Sequence, residues 1–209
     1  MGTITSPSSP QSSQTLLQLF SQQRYALLRS LLKPPEAGQL YMHALDLMNR
    51  GEMRSDTQVP NTPALYAEPR MESLLLTLLP QIEEASALSL YPTYSYMRVY
   101  KRGDVLVRHR DRPACEISVS LNLGCEADTP WPLWIEGPAG VSAVHLEPGD
   151  AVLYRGTECF HWRDVFAGEH AVQCFLHYVD QNGVNAEWKF DKRRGLRLPE
   201  DFPASSLTA

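Results

Sequence analysis

The apolar period of this chain changes once, near residue 90, and that change limits the folds open to it. Before it, apolar residues recur at helical spacing. Leu16, Leu17, Phe20, Leu27, Leu28, Leu31 and Leu32 predict a helix over 14–33, stopped by Pro34-Pro35. A second helix is expected over 35–50, with Gly51 past its end, and a third over 68–86, which Pro80 should kink or divide. Residues 52–66, polar with two prolines, read as loop. From Tyr91 the stretch "TYSYMRVYK" alternates instead, which places Tyr94, Tyr96, Arg98 and Tyr100 on one strand face. Further short strands are expected at 105–109, 115–123, 132–136, 142–146, 151–155 and 170–179, separated by turns such as "RGD", "EGPAG" and "EPGD". Helices first and short strands after them give an α+β chain. The expected architecture is N-terminal helices packed on a double-stranded β-helix core of the jelly-roll, cupin-like kind.

That organisation divides the chain into a disordered tail over 1–13, a helical part over 14–90, a jelly-roll core over 91–180 and a C-terminal extension over 181–209. With 209 residues, the helices and strands are expected to share one domain. A net charge of −5 with scattered Lys and Arg disfavours a nucleic-acid partner. No apolar run approaches the roughly 20 residues of a membrane span. "MGTITSPSSPQSSQ" lacks the basic and apolar regions of a secretory signal. Cys115, Cys125, Cys159 and Cys174 form no CxxC pair and are expected as reduced, buried thiols in a cytoplasmic protein.

The stretch "LVRHRDRPACEISVSLNLG" carries a charged triplet, His109-Arg110-Asp111, inside a run that otherwise reads as strand. A kinase H-R-D loop requires an Asn five residues after the Asp, and that position is Glu116. A metal site fits better. Residues i and i+2 of a strand face the same way, so His109 and Asp111 can present imidazole and carboxylate to one point. The best third donor is His161 in "EPGDAVLYRGTECFHWRD", where a turn and a strand precede the histidine. Two histidines and a carboxylate on one side of a metal make the facial triad of non-haem iron oxygenases. Glu116, Ser118, Ser120 and Asn122 also alternate, so this polar set faces either the barrel's mouth or solvent.

"YKRGDVLVRHRDR" followed by "GDAVLYRGTECFHWRD" resembles the prolyl-4-hydroxylase-like branch of the Fe(II)/2-oxoglutarate-dependent dioxygenases, over roughly residues 90–180. That branch has Y-x-x-G, a short spacer, H-x-D, and a distal His behind a G-D strand. The resemblance implies His109, Asp111 and His161 as iron ligands. It also implies Tyr100 as a hydrogen-bond partner of 2-oxoglutarate. Family members place an Arg or Lys nine or ten residues beyond the distal His to hold the far carboxylate of 2-oxoglutarate; here the position nine beyond His161 is His170. Arg98, on the face of Tyr100, is a second candidate for that carboxylate, and Arg163 a third.

What the resemblance implies is an Fe(II)- and 2-oxoglutarate-dependent oxygenase. It would hydroxylate an unactivated C–H bond of an amino acid, peptide or small metabolite with release of succinate and CO2. Two other readings remain open on the residues alone. One is a jelly-roll metalloenzyme that does not use 2-oxoglutarate, with His170 as a fourth ligand. The other is a cupin-like metal or small-molecule binding protein.

Overall fold

The computed structural model describes residues 13–203. The expected disordered tail, apart from Ser13, lies outside the described residues, as does the last part of the C-terminal extension.

Helix α1 (Ser13–Gln23) ends ten residues before the expected stop, because Arg24 takes a left-handed φ of 68° and turns the chain into strand β1 (Tyr25–Leu28). Leu27 and Leu28 fit a helical stripe and a strand equally well. A free sheet edge decides between them, since β1 pairs antiparallel with β8 (Ala151–Arg155). Pro34 and Pro35 stop no helix; they open α2 (Pro34–Asn49), where missing amide hydrogens cost nothing. The Lys33 amide donates to the Glu36 carboxylate at 3.1 Å and closes that end. The third expected helix is divided, as Pro80 requires, into α3 (Pro69–Thr77) and α4 (Leu79–Ser86). Glu68 caps α3 by accepting from the Met71 amide at 3.0 Å.

Two antiparallel sheets face each other. The larger has the order β1, β8, β5 (Ile117–Cys125), β10 (His170–Asp180), β3 (Leu90–Lys101), β2 (Ala64–Tyr66). The smaller has the order β4 (Leu106–His109), β9 (Phe160–Arg163), β6 (Leu133–Gly137), β7 (Gly140–Val144). Strands β3 to β10 form the jelly roll; β1, from the first expected helix, and β2, from the expected loop over 52–66, extend the edges of the larger sheet.

Alternation assigns the two faces of the larger sheet. Val119, Leu121, Leu153, Cys174 and Leu176 point outward into one core with Met71, Leu75 and Ile82 of the helices. Each such buried aliphatic side chain contributes about 1.5–3 kcal/mol. The inward face is polar: Ser118, Ser120, Asn122, Gln173 and His177 are all buried. The extension beyond β10 folds back beside this interior. Arg193 donates to both Glu72 carboxylate oxygens, at 3.0 and 2.8 Å, and Asp191 accepts from Arg112 and from the Tyr66 hydroxyl. Among the described residues no helix is long and apolar enough to cross a membrane.

Candidate metal centre and its cavity

His109 ends β4, and the chain then leaves the sheet, so Asp111 is positioned by its amide, which donates to the Gly156 carbonyl at 2.9 Å. His161 lies directly opposite His109 in the β4–β9 ladder. The pairing brings three sequence-distant side chains to one point. His109 Nε2 and His161 Nε2 lie 3.6 and 3.5 Å from Asp111 Oδ1, and the ligand atoms of all three residues fall within 4.8 Å of one another.

Both imidazoles are held for ligation through Nε2. His109 Nδ1 sits 2.9 Å from the Val107 carbonyl and His161 Nδ1 3.1 Å from the Cys159 carbonyl. A carbonyl only accepts, so each Nδ1 carries the hydrogen and each Nε2 keeps its lone pair. In this structure His109 Nε2 is met by the Gln58 amide at 2.9 Å. Burial opposes ionisation of Asp111, but the imidazole of His109 beside it, the other neighbouring histidines and the hydrogen bond from Ser118 prevail and hold its pKa at about 2. Burial holds His161 below the ordinary histidine value, whereas for His109 the adjacent Asp111 carboxylate and the Val107 carbonyl outweigh burial and raise it.

Glycine is required at 156 for a reason the sequence does not announce. A Cβ there would collide with Asp111 Oδ2 and the Cys115 carbonyl. Ser118 approaches the same carboxylate oxygen at 2.9 Å. The alternating polar set of β5 therefore faces the barrel interior through Ser118, Ser120 and Asn122, and not solvent. Asp164 accepts from Trp134 Nε1 at 2.7 Å.

The triad opens into a cavity of about 540 Å³ whose walls include Tyr66, Tyr94, Tyr96, Phe175 and His177. Arg98 lines it as well. Its guanidinium donates to the Tyr100 hydroxyl at 3.2 Å and is neutralised by Asp56, from the loop before β2. Tyr100 is fully buried behind, edge-on to Trp131. His170 is not brought to this cavity. The inward residues of β10 are Ala171, Gln173, Phe175 and His177, while His170 sits at the strand's outer end, within 4.8 Å of Glu126 and Glu169. Counting nine residues from the distal histidine lands on the wrong side of the pleat.

Arg163, the third candidate for the carboxylate, is buried. It shares a face with His161 two positions earlier and is 2% exposed. It donates to the Trp131 carbonyl at 2.9 Å and to Gln173 Oε1 at 3.0 Å, and its Nε has no partner among the described residues. Burial pushes its pKa below the ordinary arginine value, and the groups that oppose this are Tyr100, Cys125 and Tyr154, none of them a carboxylate. A buried guanidinium without an acid beside it is an uncompensated cation. Cys115, Cys159 and Cys174 are buried as expected, but Cys125 is exposed.

His109 and His161 on neighbouring strands, with Asp111 just past one of them, make a donor set of two imidazoles and a carboxylate, and the jelly roll that carries it has the fold of solved iron- and 2-oxoglutarate-dependent oxygenases. Among solved structures it is similar to a Pseudomonas putida prolyl-4-hydroxylase, at 14% identity and TM-score 0.67, covering 81% of this chain and 99% of that one. It is likewise similar to EctD from S. alaskensis with bound Fe, at 14% identity and TM-score 0.69, covering 94% of this chain and 90% of that one. The non-haem α-ketoglutarate-dependent epimerase SnoN of nogalamycin biosynthesis shares 12% identity at TM-score 0.69, covering 80% of this chain and 82% of that one. No family model matches the sequence, and no curated protein matches it.

Proposed function

We propose that the chain is an Fe(II)- and 2-oxoglutarate-dependent oxygenase that hydroxylates an unactivated C–H bond of an amino acid, peptide or small metabolite. The observation that carries this is the donor set: the ligand atoms of His109, Asp111 and His161 converge within 4.8 Å, and each Nδ1 is tied to a backbone carbonyl, which leaves Nε2 as the donor nitrogen. Imidazole and carboxylate suit iron, and three protein ligands leave positions open. With iron and 2-oxoglutarate bound, one atom of O2 goes to the substrate as hydroxyl and the other to the cosubstrate, which leaves as succinate and CO2. The residues of this chain hold and orient the reactants. Arg163, with no acid partner among the described residues, is the group we assign to the cosubstrate's far carboxylate, with Tyr100 beside it, although it lines the neighbouring cavity with Asn122, Trp131 and Gln173 and not the triad's own. Arg98 shares the triad's cavity, but Asp56 already meets its charge. Tyr66, Tyr94 and Tyr96 wall the outer cavity, where the substrate would sit.

The similar structures include a hydroxylase and an epimerase, so the fold leaves the oxidative outcome to the site and its substrate. The test is binding before turnover. Under anaerobic conditions with Mn(II) as the stand-in metal, wild type is expected to bind 2-oxoglutarate, and His109→Ala to lose both metal and cosubstrate. In air with Fe(II), wild type is expected to convert 2-oxoglutarate to succinate. Metal binding without any 2-oxoglutarate binding would instead favour the metal-binding jelly-roll reading.

A further inference from the structure

The hydrogen bonds around Ser118 admit one arrangement. Its hydroxyl oxygen lies 2.9 Å from Asp111 Oδ2, 3.0 Å from the Cys115 carbonyl and 2.9 Å from His177 Nδ1. Carboxylate and carbonyl oxygens only accept, and a hydroxyl has one hydrogen to give. The ionised carboxylate is the stronger and nearer acceptor, so that hydrogen goes to Asp111, and the contact with His177 then requires Nδ1–H to donate to Ser118 Oγ. His177 is fixed as the Nδ1–H tautomer, and its Nε2 lone pair is left for the cavity that the ring lines. Burial keeps this imidazole neutral at working pH, with a pKa pushed down to about 4.

We propose that Ser118 and His177 are a positioning pair that reserves Asp111 Oδ2 and leaves Oδ1 as the single ligating oxygen. The inference rests on the metal-centre reading above. Oδ1 faces Nε2 of both histidines, at 3.6 and 3.5 Å, while Oδ2 is turned toward Ser118 and the close backbone of Gly156. A carboxylate free to turn could ligate through both oxygens and take a position that cosubstrate or O2 requires. Held as it is here, Asp111 occupies one. The aromatic ring of Tyr94 packs on His177 at 4.6 Å and Tyr94 itself is tied to the Cys115 sulfur, so the donor imidazole is itself immobilised.

Calorimetry with Mn(II) alone tests the pair on wild type, Ser118→Ala, His177→Phe and His109→Ala. Ser118→Ala is expected to weaken Mn(II) binding by about 10- to 100-fold, the range for partners that orient metal ligands. His177→Phe, which keeps a ring in the space, is expected to weaken it in the same direction. The Mn(II) resonance spectrum of Ser118→Ala is expected to differ from wild type as the carboxylate changes its mode. Independently of any variant, nitrogen NMR of wild type labelled at histidine is expected to show His177 with its hydrogen on Nδ1. Unchanged Mn(II) affinity in a folded Ser118→Ala overturns the proposal, because a merely structural serine would alter melting and not affinity. So does an Nε2–H tautomer, which decides the matter even if Ser118→Ala fails to fold. Equal Mn(II) binding in wild type and His109→Ala would be a different failure, that of the metal centre itself.

Discussion

Arg163 and His170 show how one residue's role turns on which face of a strand it occupies. Both lie near the distal histidine, and the spacing of the resembled family points to His170. The pleat points to Arg163, since i and i+2 share a face and His161 already faces inward. Arg163 is then a buried cation lacking an acid, a costly state that an anionic ligand relieves. Arg163→Gln is expected to weaken 2-oxoglutarate binding by about 1.5–3 kcal/mol, the range for hydrogen bonds to a charged group. Removing an uncompensated charge should leave the melting temperature level or higher. His170→Ala, on the outer end of β10 beside Glu126 and Glu169, is expected to bind the cosubstrate as wild type does. Anaerobic calorimetry on the two variants compares them directly. Loss in His170→Ala with retention in Arg163→Gln would return the role to the histidine.

At the scale of elements, two residues of the cavity wall, Tyr66 and Arg112, are held by a segment that carries no motif, the extension after β10. Phe190, Asp191 and Lys192 all have left-handed φ, of 53°, 54° and 60°, a conformation that L residues avoid by roughly 1–2 kcal/mol each. Docking offsets this through Asp191 with Arg112 and Tyr66 and through Arg193 with Glu72. Burial alone would raise the Asp191 carboxyl, but hydrogen bonds from Arg112 and Tyr66 outweigh it and hold the group below the ordinary carboxylate value. A depressed folded value means the contribution is complete above the unfolded pKa of about 3.9 and is lost as pH falls through the folded one. Proteolytic accessibility of 181–203 is therefore expected to rise below about pH 4 in wild type. In Asp191→Asn the segment should be looser at neutral pH, with a flatter acid dependence. An identical digestion profile for the two proteins would show that this ion pair does not hold the segment.

Over the whole molecule, the helices serve the site by covering the outer face of the larger sheet, which frees its inner face for polar side chains. Leu75 on α3 is fully buried in that contact. Leu75→Ala is expected to cost about 2–5 kcal/mol in urea unfolding. Mn(II) affinity of the folded fraction should stay at the wild-type value, since α3 packs mainly on β3 and β10 and carries none of His109, Asp111 and His161. A matched loss of affinity would mean that the helical layer sets the geometry of the triad.

The change of period near residue 90 was enough to give helices before strands, and the turn residues located β3 to β8 and β10 within a few positions. Local chemistry also marked His109, Asp111 and His161, because a motif and its strand context are properties of short segments. The triad's assembly was not local: it depends on His109 and His161 meeting across the β4–β9 ladder, and β9 itself is too short to announce itself. Strand β1 was hidden for the same reason, its leucines being compatible with a helix until β8 offered an edge. The inward face of β10, the burial of Arg163, the glycine beneath Asp111 and the Ser118–His177 contact became visible only in three dimensions. Each depends on register or on close approach between segments far apart in sequence, and a single residue's shift in register reverses which side chains face the core.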